Sequence, residues 1–237
     1  MADYVNNWHR VWSHRKPLPE LEGNALQQLI SLDGFDSPLG AMSETDWKTY
    51  VGVFAERCAL AAGDSIFEVG CGSGAFLFPF YQQGHAVSGI DYSEELIQVA
   101  QSFMPDRQAE ISVMEAKEFS VQPVTDVVVA NHVIHYFSSL SDAETVLTKM
   151  LRKAGKSVCV SGVPDAALRA ESEQERRGIL SPAEYEAKYA GLEILYFDRE
   201  FFVDLAKTER FNVRFFDHDM PGFAQNRFRY DCLMTKC

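Results

Sequence analysis

A chain of 237 residues, 46% hydrophobic and 24% charged, is long enough to bury a sizeable core and has the composition of one large globular domain or one domain with an elaborated end. Its 34 acidic against 22 basic residues leave a formal net charge of −12 with no Lys/Arg-rich block, which argues against a nucleic-acid partner, since binding there rests on neutralising phosphates. Five scattered cysteines without a C-x-x-C pair exclude a disulfide framework and a zinc ribbon, and no run approaches the roughly 18 apolar residues of a membrane span, so a cytoplasmic setting with no membrane contact is expected.

In chain order, "YVNNWHRVW" comes first and spaces Tyr4, Trp8 and Trp12 as a helical stripe, which reads as core or as a lid over the domain downstream of it. "DGFDSPLG" (33–40) is a loop, and "SETDWKTYVGVFAERCAL" (43–60) an amphipathic helix opened by Ser43. No strand is expected in the first sixty residues. From Gly63 onward short β-rich runs alternate with helical stretches. "SIFEVG" (65–70), "AVSGID" (86–91), "EISVME" (110–115), "DVVVAN" (126–131) and "SVCVSGVP" (157–164) are apolar along most of their length, as in a sheet covered on both faces. Helices are expected over 74–83, 93–103 and 142–152, the last opened by a capping box "SDAE" with Ser141 at the N-cap. Residues 165–198 form a helical insertion over the sheet's carboxyl edge, where "SPAE" puts Ser181 at an N-cap and Pro182 at the first helical position. After a helix near 199–208, "FNVRFFDHD" (211–219) and "FRYDCLMTK" (228–236) lie too close for a crossover helix and must pair antiparallel. The whole alternation predicts a doubly wound α/β sheet.

The glycine-rich "SIFEVGCGSGAF" (65–76) directly after the first strand is the clearest ligand signal. A phosphate-binding P-loop would need a Lys after the glycines, and none is there. Gly70, Gly72 and Ala75 satisfy the dinucleotide pattern G-x-G-x-x-A, and Asp91 ends the second strand where an acid can take ribose hydroxyls. Four features point away from a dinucleotide. Glu68 lies inside the first strand's end, where a buried acid is costly unless a cation pairs with it. Glu115 and Ala116 close the third strand in a way suited to reading an adenine amino group. "ANHVIHYF" (130–137) brings polar and aromatic groups into the crevice at the end of the fourth strand. The terminal antiparallel hairpin is foreign to dinucleotide domains.

With these motifs the chain resembles the class I methyltransferases that use S-adenosylmethionine (SAM), over roughly residues 50–237. "FEVGCGSGAF", "GIDYSEELIQVA", "MEAKEF" and "DVVVANHVIHYF" look like that family's four motifs in order. The resemblance implies a Rossmann-like, doubly wound seven-stranded sheet of order 3-2-1-4-5-7-6 with strand 7 antiparallel. It also implies an amino-terminal helical extension over 1–60 before a SAM-binding domain over 61–237. Its cofactor would be SAM and its product S-adenosylhomocysteine (SAH). By position, Gly70, Cys71, Gly72 and Gly74 would line the methionine and ribose side, with Glu68 anchoring nearby polar groups. Asp91 would take the ribose hydroxyls, Tyr92 would pack on the adenine, and Glu115 and Ala116 would face its edge. Asn131 and His132 would approach the amino-acid part, and Trp12 would touch the cofactor from an amino-terminal lid. Glu115 departs from the Asp more usual in the third motif.

For the acceptor side, His132 and His135 suit a proton acceptor near neutral pH, with His135 favoured because it is further from the cofactor seat. In Asp217-His218-Asp219, strand alternation turns the two acids to one face and His218 to the other, so a metal cluster is awkward and His218 at the active-site rim is the better reading. Arg227 and Arg229 would share a strand face and clamp a carboxylate, or balance the acidic surface. Tyr136 points into the crevice, and Tyr185, Tyr189 and Tyr196 form a stripe that packs in the core or lines a substrate pocket. The fourth motif reads "NHVIHY" and not N-P-P-Y, against a nucleic-acid base as acceptor. The expected activity is methyl transfer to an oxygen or nitrogen, or a sulfur, of a small molecule. The alternatives are an NAD(P)-dependent oxidoreductase and a non-catalytic SAM-binding protein.

Overall fold

The computed structural model describes residues 7–12, 25–37, 40–179 and 181–237. Its centre is a seven-stranded sheet: β1 (Ser65–Val69), β2 (Ala86–Asp91), β3 (Ile111–Val113), β4 (Thr125–Asn131), β5 (Ala154–Pro164), β6 (Phe211–Asp217) and β7 (Arg229–Lys236). The order is β3-β2-β1-β4-β5-β7-β6, and β7 runs antiparallel to both β5 and β6 while the other pairs are parallel. The expected topology is borne out. β1 and β4 are inner strands whose Ile66, Val69, Val127, Val128 and Val129 are fully buried, which is why they read as unbroken apolar runs. Edge strand β6 instead alternates, with Phe211 buried and Asn212 exposed. Glu68 pairs with Gly89 of β2 and Val129 of β4, so Glu68, Asp91 and Asn131 all gather at one carboxyl edge.

Nine helices are described: α1 (Asn7–Trp12), α2 (Ala25–Leu32), α3 (Glu44–Arg57), α4 (Leu77–Gln82), α5 (Glu94–Phe103), α6 (Leu140–Lys153), α7 (Arg169–Ile179), α8 (Pro182–Tyr189) and α9 (Arg199–Glu209). One face of the sheet is covered by α2 to α5 through Leu29, Trp47, Phe54, Phe80 and Ile97, and the other by α6 and α9 through Leu147, Met150 and Phe202. α2 and α3 thus belong to the main core. Serine caps set most helix starts: Ser43 makes a capping box with Asp46, Ser93 opens α5, and Ser181 with Glu184 and Pro182 opens α8 as expected. α6 corrects the expectation. Its N-cap is Ser139, accepting from the Asp142 amide at 3.1 Å, because a second serine upstream adds half a turn and draws Ser141 into the helix.

Between α2 and α3, Asp36–Ser37 and Gly40–Ala41 form a two-residue antiparallel ladder where only a loop was expected. The fold-back is closed by the Met42 amide donating to the Phe35 carbonyl at 2.9 Å, which buries Met42. Among the described residues no helix is long and apolar enough to cross a membrane. The cysteines Cys58, Cys71, Cys159 and Cys232 are buried as free thiols, and Cys237 is exposed.

Candidate active site

A cavity of about 620 Å³ opens at the carboxyl ends of β1, β2 and β4, where open α/β sheets hold their ligands. The turn after β1 folds back over β2: the amides of Gly70 and Cys71 both donate to the Ile90 carbonyl, at 2.8 and 2.9 Å. Its bareness has specific causes. Gly70 sits at φ +73°, and a Cβ there would fall 2.5 Å from the Val133 side chain; Gly72, at φ +52°, would place one 2.4 Å from Asp33 Oδ1. Gly74 corrects the expectation. A Cβ on it would meet Met104 at 2.6 Å and Ala100 at 3.3 Å, so it closes the packing against α5 and does not line the cavity with Gly70, Cys71 and Gly72.

Carboxylates dominate this wall. Asp91 accepts from the Gly72 amide at 3.1 Å and the Ser93 amide at 2.8 Å, which fixes it at the strand end. Glu68 is 2% exposed, its Oε2 has no hydrogen-bond partner, and burial together with the charges of Asp33 and Asp91 pushes its carboxyl well above the usual range. Asp33, which sequence reasoning missed, follows α2 and accepts from the amides of Ser73 (2.7 Å) and Ala75 (3.3 Å). Burial raises it to about 7 against the pull of those amides. Its only sequence signal is an acid before Gly34, which reads as an ordinary turn. Glu68, Asp33 and Asp91 thus crowd around one bare turn.

Tyr92, Glu115 and Ala116 continue the same wall, and Trp8, Val11 and Trp12 of α1 line the cavity as well. Trp8 Nε1 donates to the Glu193 carbonyl at 2.7 Å, and its own carbonyl accepts from the Tyr92 hydroxyl at 3.3 Å. The Trp12 carbonyl accepts from Ser93 Oγ at 3.4 Å. The rings of Trp8 and Trp12 lie 4.6 and 5.7 Å from that of Tyr136. Tyr4 lies outside the described residues.

Beyond the carboxylates, a hydrogen-bonded chain runs inward from His132. His132 Nε2 lies 3.0 Å from His218 Nε2, and His218 Nδ1 lies 2.7 Å from Asp231 Oδ1. Asp231 also accepts from Ser161 Oγ (2.7 Å), the Gly162 amide (2.9 Å) and Arg57 Nη1 (2.6 Å). Burial pushes the Asp231 carboxyl up, but the His218 bond and charge with the Gly162 and Ser161 bonds outweigh it and hold the group below the usual range. An ionised Asp231 fixes His218 as an Nδ1–H donor. When its Nε2 carries no proton, His218 can accept the Nε2–H of His132, which leaves Nδ1 of His132 as that ring's free lone pair. His132 is held in place by its left-handed backbone, φ +53°, and by Gly162, where a Cβ would lie 2.5 Å from the imidazole. Burial, then the charges of His218, Arg229 and His135, drive the His132 pKa well below that of a free histidine. Beside this chain, Asn131 Oδ1 accepts from the Tyr50 hydroxyl at 2.6 Å.

His135 is 2% exposed, lines the cavity, and has no partner at Nδ1; burial and the charges of Arg229 and Arg176 drive its pKa well down. Arg229 also lines the cavity, with Nη1 donating to the Gly162 carbonyl. Arg227 does not share its face. It sits in the 3₁₀ turn Asn226–Phe228, which breaks the two-residue alternation before β7 begins, and it pairs with Glu175 outside the cavity wall. Tyr196 is likewise set back from the wall, accepting from Arg176 Nη2 at 2.8 Å, and it is Arg176 that faces the cavity. Tyr185 packs under Arg177 at 4.7 Å, away from the cavity, and the Tyr189 side chain lies outside what is described. Among the described residues no group of three His, Cys, Asp or Glu side chains is disposed for a metal ion. Asp33, Arg176 and Asp231 are the site residues that no motif announced.

Residues 67–159 match the family model described as a methyltransferase domain. No curated protein matches the sequence. The fold is similar to the SAM-bound magnesium protoporphyrin IX methyltransferase of Synechocystis, at 15% identity and a TM-score of 0.59 over 99% of this chain and 94% of that one. A SAM-bound amino pentose methyltransferase from Micromonospora echinaspora is similar at 13% identity, with a TM-score of 0.56 over 81% of this chain and 92% of that one. An N-methyltransferase from Bradyrhizobium japonicum shares 15% identity at a TM-score of 0.56, over 82% of this chain and 99% of that one.

Proposed function

We propose that this chain, which carries the domain and fold of a class I SAM-dependent methyltransferase, methylates an oxygen or nitrogen of a small molecule held beneath α1, with His132 Nδ1 taking the acceptor's proton. The observation that carries the reading is the chain from cavity-lining His132 through His218 to buried Asp231. A protein that only bound SAM would have no use for a proton acceptor tied to a buried carboxylate.

The residues present fit the cofactor. Glu68 leaves a buried oxygen without a partner at a turn already crowded by Asp33 and Asp91, which suits a ligand bearing ammonium and sulfonium charges. The same acids would meet a dinucleotide's pyrophosphate with like charge, which disfavours the oxidoreductase reading. Asp91 would hold the ribose hydroxyls, and Tyr92, Glu115 and Ala116 the adenine. When bound, SAM supplies an electrophilic methyl group on sulfur. α1, tied to both walls through Trp8, excludes water from the cavity. His132 Nδ1 accepts the proton of a hydroxyl or protonated amine, and the bond to His218, anchored on Asp231, orients the ring for it. The cavity favours a small-molecule acceptor, in keeping with the porphyrin and amino pentose named for two of the similar structures.

Isothermal titration with SAM, SAH and NADPH, repeated on Asp91→Ala, tests this reading. SAM and SAH are expected to bind and to be weakened severely in the variant. Binding of NADPH with no response to SAM would overturn it.

A further inference from the structure

Opposite the acidic turn, the cavity wall changes sign. Arg176 of α7 and Arg229 at the start of β7 both face the space, and neither makes an ion pair among the described residues. Half-buried Arg57, by contrast, rests on the carboxylate of Asp231, as a guanidinium withdrawn from water ordinarily does. Arg176 and Arg229 are instead oriented by neutral acceptors, the Tyr196 hydroxyl and the Gly162 carbonyl, which position each fork without compensating its charge. Arg176 Nε is buried with no partner, and so is Nδ1 of His135, which feels the charge of both arginines. Burial, with the charge of Arg176 adding to it, pulls Arg229 down to about 10. Two like charges converge on one part of the cavity beside an unsatisfied imidazole nitrogen, and among the described residues no carboxylate pairs with them.

We propose that the methyl acceptor carries an oxyanion, a carboxylate or a phosphate ester, bound by Arg176 and Arg229 so that its other end turns toward His132. The planar forks suit bidentate binding of such a group. The cavity then has two electrostatic halves: acids for the cationic cofactor and arginines for the anionic acceptor. This inference rests on the methyltransferase reading.

The test is calorimetric titration of the full chain saturated with SAH, using benzoate, inorganic phosphate and benzyl alcohol as probes. Benzoate or phosphate is expected to bind, and benzyl alcohol to bind about tenfold more weakly or not at all. Arg176→Gln and Arg229→Gln should each weaken the anion about tenfold or more while SAH affinity stays within about twofold. Arg176→Lys should fall between, keeping the charge and losing the fork. Preference for benzoate assigns a carboxylate, and preference for phosphate a phosphate ester. Benzyl alcohol binding as tightly as benzoate, or anion binding unchanged in both glutamine variants, would overturn the proposal. Because Arg229→Gln removes a tie to Gly162, Arg176→Gln alone decides if the Arg229 variant melts lower. Failure of SAH to bind the unaltered chain sinks the methyltransferase reading itself, whereas SAH binding without any anion response sinks only the oxyanion proposal.

Discussion

His132 is held in a backbone conformation that L-residues rarely adopt, with its ring against Gly162 and its Nε2 committed to His218. Such restraint at a cavity wall suits a proton acceptor whose orientation matters more than its mobility. His132→Gln is expected to lower kcat by about 10²- to 10⁴-fold with SAH affinity kept, which single-turnover kinetics and calorimetry would separate. Asp231→Asn should act at a distance. The amide can no longer fix His218 as an Nδ1–H donor through an anion, so His132 loses its fixed orientation and the rate falls without a matching change in KM. The His132 pKa lies well below that of a free histidine, so the unaltered enzyme should keep its rate as pH falls through about 6.5 and lose it only at lower pH. A rate that halves near pH 6.5 or above would remove His132 from the role. Sequence reasoning preferred His135, because spacing along "NHVIHY" gives distance from the cofactor seat but says nothing of a partner. The partner, His218, lies 86 residues away.

At the scale of elements, the inner strands were legible because two covered faces leave an apolar run, and Ser43, Ser93 and Ser181 marked helix starts by cap chemistry. α6 was misplaced by half a turn because Ser139 and Ser141 offer the same local signal, and only the extended backbone at Ser139 (φ −159°, ψ 162°) decides between them. Arg227 was assigned to a strand face because alternation cannot foresee a 3₁₀ turn one residue before β7. Among the described residues α1 is joined to the domain through Trp8 and Trp12. Trp8 joins it to the Glu193 carbonyl, the Tyr136 ring and, through its own carbonyl, Tyr92. Trp8→Ala removes part of the cavity wall together with the hydrogen bond to Glu193 and the ring contact with Tyr136, so SAH affinity should fall about tenfold. Trp8 is not part of either core cluster, so the melting temperature of the unliganded protein should move by less than about 2 °C. A large drop in melting temperature with unchanged SAH affinity would show α1 to be a structural strap and not a lid.

Across the whole molecule, the cavity gathers groups whose burial works in opposite directions. The glycine turn and Asp91 announced themselves as a motif, but Asp33, Arg176 and Asp231 reach the site from α2's end, α7 and β7, and only the sheet's winding brings them together. Asp33 and Glu68 have raised pKa values in the folded chain, so their contribution to stability is full below about pH 4 and is lost as pH rises, for Asp33 through about 7. His132 and His135 have depressed values, so theirs is full above about pH 6.5 and is lost as pH falls below it. Between pH 4.5 and 6.5, roughly, the two pairs oppose each other, and above that range only the acids still change. The unliganded protein should therefore lose stability from about pH 6.5 to 8. A cationic cofactor seated on ionised Asp33 and Glu68 removes that loss, which makes its binding tighter at higher pH and coupled to proton release. Melting curves with and without SAM between pH 5.5 and 8 should show a stabilisation that grows with pH. Titration calorimetry in two buffers of different ionisation heat should show protons leaving near pH 7. Asp33→Asn should flatten the pH dependence and reduce the proton release. A SAM-induced shift in melting temperature that stays constant across this range would mean that the acids are already ionised in the empty cavity, and that the turn is built to hold carboxylates together without a cation.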